Sequence, residues 1–411
     1  METVRPTNLE ALAAAVADAV ASGTPLELVG RSSKRGLGRP VAASRVLDLS
    51  ALKGIALYEP EELVLKAGAG TSLAEIEAMI AQRGQMLAFE PCDLGPLYGG
   101  AEGAGTIGGA IACNLGGPRR LKAGAARDHF LGFAGVSGRG EVFKAGGRVV
   151  KNVTGYDLPK LMAGSHGTLA ALAEVTIRVH PAPETTRTLL VMGLDDARAV
   201  EAMALAVGSP HEVSGAAHLP GGEAMTSAID RVAAAGSSTT CLRLEGPPAS
   251  VAYRAAALEA MLRPFGAPVA SLEREESLAL WREIRDARFF AANRLDQRMP
   301  IWRLSVPPAS GAKAAEAVRD AVAGARYFFD WAGGLVWLAL PPEVEAHAGA
   351  VRGAVAAHGG HATLIRAEEA VRRAVPVFEP EPPALAALTA RVKAAFDPLH
   401  ILNRGRMRPE G

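Results

Sequence analysis

The sequence predicts an α+β fold built from more than one domain, and three observations carry that expectation. Strand and helix patterns alternate over roughly the first eighty residues. A glycine-dense stretch with little periodicity runs on from Phe89. Beyond residue 181 a strand–helix order appears and then repeats. Such mixtures build sheets covered by helices. A chain of 411 residues is long enough for two or three cores.

The first element is a helix in "TNLEALAAAVADAVASG". Thr7 is its expected cap, Glu10 completes a capping box, Leu9, Leu12, Val16 and Val20 form the apolar face, and Gly23 ends it. "PLELVG" reads as a strand leading into the loop "GRSSKRGLGR". "RVLDLS" and "ELVLKAGAG" are the next strands. The helix "TSLAEIEAMIAQRG" follows, capped by Ser72 with Glu75 three residues on, and stops at Gly84. The stretch from Phe89 reads as an extended loop, a length that compact domains keep for function. "FAGVSGRGEVFKAGG" is a hairpin around Gly138 and Gly140, and "AALAEVTIRV" ends as a strand. Between them Lys151, Asn152, Tyr156 and Asp157 put varied polar groups in one segment, which suits either function or the tying down of a loop.

The middle reads strand–helix–strand from "TRTLLVMGL", then strand–helix from "TTCLRLEG". The same order returns from "PIWRLSVPP". Two ferredoxin-like βαββαβ units in one cap account for the repeat. "HPAPETT" and "VPVFEPEPPAL" are proline-rich and mark boundaries near residues 181 and 375.

Composition narrows the function classes. Net charge is +1, so no strong field favours nucleic acid or an anionic membrane. Cys92, Cys113 and Cys241 form no C-x-x-C pair, which argues against an iron–sulfur cluster held by this chain and against a disulfide framework, and suits a reducing cytoplasm. The N-terminal segment does not read as a signal peptide, and no uncharged apolar window is long enough for a membrane span.

The stretch "GTIGGAIACNLGGPRR" mixes glycines with buried-type isoleucines. It suits a backbone that approaches a ligand while anchored to a core. With "GRSSK" and "GSHGTL" it fits a long ligand, with phosphates in its middle and rings at its ends. No G-x-G-x-x-G opens a helix inside a βαβ unit, which disfavours the ordinary dinucleotide fold.

The ordered set "GRSSK", "TIGGAIACNLGGPRR", "RDHFLG", "VVKNVTGYDLPKLMAGSHGTL" and "FDPLHILNRGRM" resembles the vanillyl-alcohol oxidase and p-cresol methylhydroxylase flavoprotein superfamily, and within it the E subunits of bacterial glycolate oxidases. The resemblance implies a two-subdomain FAD-binding domain over residues 1–180, a cap over 181–375 and a segment over 376–411 that returns to the FAD domain. It further implies that Gly30, Arg31, Ser32, Ser33 and Lys34 form the pyrophosphate loop. Thr106, Ile107, Gly108 and Gly109 form a second pyrophosphate wall, with Asn114 and Gly116 nearby. Gly164, Ser165, Gly167 and Thr168 lie along the cofactor, Val175 or its neighbours meet the adenine end, and Asn403 and Gly405 approach the isoalloxazine. The family usually has proline between those last two, where this chain has Arg404. Members with covalent FAD often carry a histidine in the first loop. "GRSSKRG" has none, so the FAD is expected to be non-covalent.

Oxidising a 2-hydroxy acid needs a cation for the carboxylate and a base for the hydroxyl proton. His166 and His400 are the candidate bases, and Arg404 or Arg406 the candidate cations. His358 and His361 lack a third ligand and read as a turn entering a strand, so no metal is expected. The paired-histidine and Gly-Asp-Gly-Asn motif that related flavin dehydrogenases carry in the cap is missing. The resemblance therefore implies a complex, with a sister FAD subunit holding the catalytic motif and an iron–sulfur subunit passing electrons on. The chain itself is expected in the cytoplasm, or at the inner membrane face through its partners. A stand-alone FAD-dependent 2-hydroxy-acid dehydrogenase and a non-redox flavin-bound assembly subunit are the open alternatives.

Overall fold

The computed structural model describes residues 2–147 and 155–409. Lys151 and Asn152 lie outside them. The chain divides into two units. One comprises residues up to Gly116, Gly124–Ala182 and Pro376 onward; the other comprises Gly117–Ala123 and Pro183–Val375. Gly117–Ala123, which sequence contiguity assigns to the first unit, belongs to the second.

The first unit opens with β1 (Glu2–Val4) and α1 (Leu9–Ser22). Leu12, Val16 and Ala19 point into the core, and Gly23 closes the helix at φ 64°. The cap is Asn8 rather than Thr7: its Oδ1 accepts the amide of Ala11 at 2.8 Å. Both residue types serve this role, and the extended backbone falls at Asn8. β2 (Leu26–Val29) and β3 (Arg45–Asp48) join β1 in a parallel sheet of order β1-β3-β2. β4 (Ile55–Glu59) was hidden in the sequence because a register shift between Ile55 and Leu57 breaks its alternation. β5 (Val64–Gly68), α2 (Leu73–Ala81), α3 (Ile107–Cys113), the hairpin β6 (Phe130–Ser137) and β7 (Val142–Gly146), and β8 (Ala170–Arg178) complete this part. The second sheet is antiparallel, in order β4-β5-β8-β6-β7. Asp157 caps the short helix Leu158–Met162, and Tyr156 is exposed. One apolar core packs α1 on β2 and β3; a second packs α2 and α3 on β5, β6 and β8.

In the second unit β9 (Thr185–Met192), α4 (Asp196–Gly208), β10 (Gly215–Leu219), β11 (Thr239–Gly246), α5 (Pro248–Leu262) and β12 (Val269–Leu272) make one βαββαβ run. β13 (Ile301–Ser305), α6 (Gly311–Ala321), β14 (Arg326–Asp330), β15 (Leu335–Ala339), α7 (Ala348–Ala356) and β16 (His361–Arg366) make another. The eight strands form one sheet in the order β12-β9-β11-β10-β14-β15-β13-β16. Each half thus has its strands in the ferredoxin-like order 4-1-3-2, and the two meet where His218 of β10 faces Phe329 of β14. Gly117–Ala123 is tied to this unit by Arg119, whose guanidinium donates to both carboxylate oxygens of Glu245 at 3.0 and 2.6 Å. Burial would raise the Glu245 carboxyl, but Arg243 and Arg119 outweigh it and hold it at about 2.

The chain then returns to the first unit through α8 (Pro383–Phe396). Behind it the Lys393 ammonium donates to Asp397 at 2.6 Å and to the carbonyls of Thr168 and Leu402 at 2.7 and 3.1 Å. Asp397 in turn accepts the amides of Ile401 and Leu402 at 2.9 and 2.8 Å. The pair is buried and fully bonded, so removing one member strands the other in the core. Asp397→Ala is expected to cost about 3–5 kcal/mol, read as a lower urea midpoint. Lys393→Met with Asp397→Leu is expected to cost less than the sum of the two single changes.

Candidate functional site: a cationic cavity in the first unit

A cavity lies between the two cores of the first unit. Leu28, Val29, Leu37 and Leu49 line it from one side, and Ala69, Ala170 and Leu172 from the other. Four polar segments complete the wall: the loop after β2, the Thr106 end of α3, the loop before β8, and the returning C-terminal segment.

The loop after β2 brings Gly30, Arg31, Ser32, Ser33 and Lys34 to the cavity together. Among the described residues, the amides of Arg31, Ser32, Ser33 and Lys34 have no acceptor within the chain. Ser32 sits at φ 61°, so the backbone turns through the left-handed region, as it does in the turns that form anion-binding nests. Among the described residues Lys34 has no carboxylate partner, and its Nζ lies 3.8 Å from where a Gly109 Cβ would stand. Gly30 allows close approach to the α3 cap, because a Cβ there would lie 2.8 Å from Thr106 Oγ1.

α3 departs from the expected phosphate wall. Thr106, Gly108 and Gly109 line the cavity, but the first amides of the helix are spent. Ile107 donates to Thr71 O at 3.0 Å, Gly108 to Ala69 O at 2.8 Å, and Gly109 to Thr106 Oγ1 at 3.2 Å. The Ile107 side chain is in the core. Gly108 is chiefly a packing glycine: a Cβ there would meet the Ala69 Cβ and carbonyl oxygen at 2.7 and 2.8 Å.

Ser165, His166 and Gly167 line the cavity, as do Asn403 and Arg406. Asn114, Gly116, Gly164, Thr168, Val175 and Gly405 do not. Asn114 ends α3 at φ 48° and accepts the amide of Arg127. Gly164 adopts φ 84° and donates to Ile111 O. Thr168 Oγ1 donates to Ser165 O, and Val175 is a core residue of β8. Gly405 turns the chain at φ 85° between Asn403 and Arg406.

Asn403 is a staple. Its Oδ1 accepts the amide of Leu28 at 2.8 Å, and its Nδ2 donates to His166 O at 2.7 Å. Arg404 is exposed, and His400 does not line the cavity. Arg406, the other candidate cation, is buried. It donates to the carbonyls of Arg35 and Leu37 at 3.0 Å each and to Glu27 at 3.2 Å. Glu27 also binds Arg35. The sequence did hold a signal for this: Glu27 sits at a core-facing position of β2, and a buried carboxylate needs a cation. Cys113 also lines the wall, and burial pushes its thiol up. His166 is the one histidine of the wall. Burial, helped by the charge of Arg406, lowers it to about 4, and its ring packs 4.9 Å from that of Phe378.

Among the described residues the wall thus carries Arg31, Lys34, Arg35 and Arg406 and no carboxylate, with Glu27 behind it paired to Arg35 and Arg406. Free amides, an unpaired ammonium and apolar flanks suit a diphosphate joined to flat rings. This is the class of FAD-linked oxidoreductases with the p-cresol methylhydroxylase fold. The sequence pattern of the FAD binding domain family matches residues 2–146. The crystal structure of p-cresol methylhydroxylase with substrate bound superposes with a TM-score of 0.71 over 98% of this chain and 88% of that one, at 15% identity. Glycolate oxidase subunit GlcE of Escherichia coli is 33% identical over 405 residues, 98% of this chain and 97% of that relative. Glycolate oxidase subunit GlcD of Bacillus subtilis is 45% identical over 87 residues, 21% of this chain and 18% of that relative. The chain belongs to the GlcE family of glycolate oxidase subunits, and it is an FAD-linked flavoprotein.

Three outcomes are expected. Lys34→Met loses a charge-assisted bond of about 1.5–3 kcal/mol and weakens FAD binding roughly ten- to hundredfold in a fluorescence titration, with the fold kept. Gly108→Val lowers thermal stability with or without FAD, because it wedges α3 from Ala69. Stability of the flavin-free chain rises with pH from about 4 to the ordinary histidine range and then levels. Between those limits the unfolded chain binds the His166 proton and the folded chain does not. His180, also lowered to about 4 by burial, adds to that rise, so His166→Gln removes only part of it in pH-dependent denaturant titrations.

Proposed function

We propose that this chain is the FAD-holding E-type subunit of a glycolate oxidase complex acting on 2-hydroxy acids. One observation carries the proposal: a cavity whose described lining holds cations, no carboxylate and four open amides, in a chain that matches a glycolate oxidase subunit over nearly its whole length. The loop Arg31–Lys34 would hold the FAD pyrophosphate, with Thr106 and Gly109 behind it and the Asn403 staple closing the wall. When bound, the flavin supplies a two-electron acceptor.

This chain's own residues bind and orient more readily than they move protons. A general base works best with a pKa near the operating pH. His166, held down at about 4, stays neutral with little drive to take a hydroxyl proton. Arg406 is consumed by Glu27 and two carbonyls, which leaves it poorly placed to clamp a substrate carboxylate. A base and a carboxylate clamp supplied elsewhere in a complex fit this arrangement, with a D-type flavin subunit and an iron–sulfur subunit as partners. Among the described residues no helix is long and apolar enough to cross a membrane. We place the chain in the cytoplasm, reaching the membrane face only through such partners. The FAD is non-covalent in this reading, since the loop that faces the cavity offers no histidine for attachment.

Two results are expected. Acid precipitation releases all the flavin into the supernatant; flavin that stays with the polypeptide on a denaturing gel counts against non-covalent binding. In anaerobic stopped-flow, glycolate bleaches the flavin of the isolated chain far more slowly than that of the complex, and His166→Ala leaves the complex within about tenfold of its normal rate. Full-rate reduction of the isolated chain, abolished by His166→Ala, overturns the proposal in favour of a self-contained dehydrogenase.

A further inference from the structure

Glu27 puts a buried carboxylate behind a wall that suits an anion. It sits in β2 between Leu26 and Leu28 and is 6% exposed. A buried carboxylate costs free energy unless cations hold it, and here two do. Arg35 donates to Glu27 from Nε at 2.9 Å and from a terminal nitrogen, and Arg406 donates to it at 3.2 Å. Both guanidiniums belong to the cavity wall. The charge of Glu27 opposes an anion there, because it offsets part of the attraction that the cations of the wall exert. An apolar side chain with an apolar partner would fill the same space without that opposition.

What Glu27 supplies is geometry. The open amides of Arg31–Lys34 lie on a loop that leaves β2 at Val29. That end is firm: β2 pairs with β3, and Asn403 holds the Leu28 amide. The next strand begins only at Arg45, so the far end of the open amides needs another anchor. Arg35 is that anchor. Its amide donates to Ser32 O at 3.2 Å, which closes the turn, and its guanidinium returns to Glu27. Arg406 completes the tie. One of its nitrogens binds Glu27, and another donates to the carbonyls of Arg35 and Leu37 at 3.0 Å each. The Leu37 amide in turn donates to Lys34 O at 3.0 Å. The four amides therefore hang between two points fixed on one strand: the backbone of Val29 and the carboxylate of Glu27. A loop ordered in advance loses less freedom when a ligand binds.

We propose that Glu27 is a positioning residue for the diphosphate of FAD: through Arg35 and Arg406 it holds the Arg31–Lys34 amides ready for the ligand, and this outweighs the repulsion of its own charge. The proposal rests on the reading of the cavity as the FAD site. The test titrates the flavin-free full-length chain with FAD and with riboflavin, for wild type, Glu27→Gln and Glu27→Asp. Charge and position predict opposite results. If charge decided, Gln would tighten FAD binding, and Asp, which keeps the charge, would leave it unchanged. By the positioning role both variants weaken FAD binding about tenfold or more, a loss of about 1.4 kcal/mol or more. Riboflavin, which lacks the diphosphate, is expected to keep its wild-type affinity in both. Amide exchange over residues 31–35 of the flavin-free chain is expected to quicken in both. Glu27→Asp keeps a carboxylate for the two arginines, one methylene short, so the test stands even where Glu27→Gln fails to fold. FAD affinity of a folded variant at or above the wild-type value overturns the positioning role and leaves the FAD site standing. Equal proportional losses for FAD and riboflavin overturn it in favour of a carboxylate that serves the fold alone. A wild type that binds FAD no more tightly than riboflavin overturns the FAD site, and the positioning role with it.

Discussion

The first unit depends on the return of the C-terminal segment to β2. Asn403 is the joint. Through one carboxamide it binds the Leu28 amide of β2 and the His166 carbonyl of the loop before β8. The bridge between Leu26 and Leu402 continues the parallel sheet into residues that lie far along the chain, after the whole second unit. Lys393 and Asp397 anchor that return from behind, and Arg406 carries it to the carbonyls of Arg35 and Leu37. Three walls of the cavity are thus fixed by one short segment. Its residues are functional in a positional sense: they hold the open amides of Arg31–Lys34 where a diphosphate would meet them. The positive φ values of Ser32, His166 and Asn403, all on the cavity wall, fit the same account. Non-glycine residues hold such conformations where the surroundings over-determine them.

Much of the fold was legible in the sequence because local periodicity and tertiary burial agree there. α1, β2, the β6–β7 hairpin and β8 all show their apolar pattern and their punctuating glycines. The repeated strand–helix order also announced the two halves of the eight-stranded sheet. α3 was not legible. Its paired glycines each cost about 1 kcal/mol in helix propensity, and what forms the helix is the docking of Gly108 on Ala69 and of Ile107 on Thr71. Gly117–Ala123 was misassigned for a similar reason: Arg119 finds its carboxylate in Glu245, 126 positions away.

The site was legible in its loops and obscure in its charges. "GRSSK" marked a loop that lines the cavity, because small polar residues and a lysine leave amides and an ammonium unspent. What the sequence could not show is which arginine is buried. Arg404 and Arg406 are two residues apart and chemically identical, and only the register of the return onto Glu27 decides that Arg406 goes inward. His166 and His400 were equally plausible on paper. The fold puts only His166 on the cavity wall and then depresses its basicity by burial.

The central claim is that the Arg31–Lys34 nest and its cationic surroundings bind the pyrophosphate of FAD. The most direct measurement compares calorimetric titrations of the flavin-free chain with FAD and with riboflavin, which keeps the ring system and lacks the pyrophosphate. Two or more charge-assisted bonds at about 1.5–3 kcal/mol each are at stake. FAD should therefore bind at least about a hundredfold more tightly than riboflavin, with the difference shrinking as salt is raised. Equal affinities for the two, at any salt concentration, contradict the account.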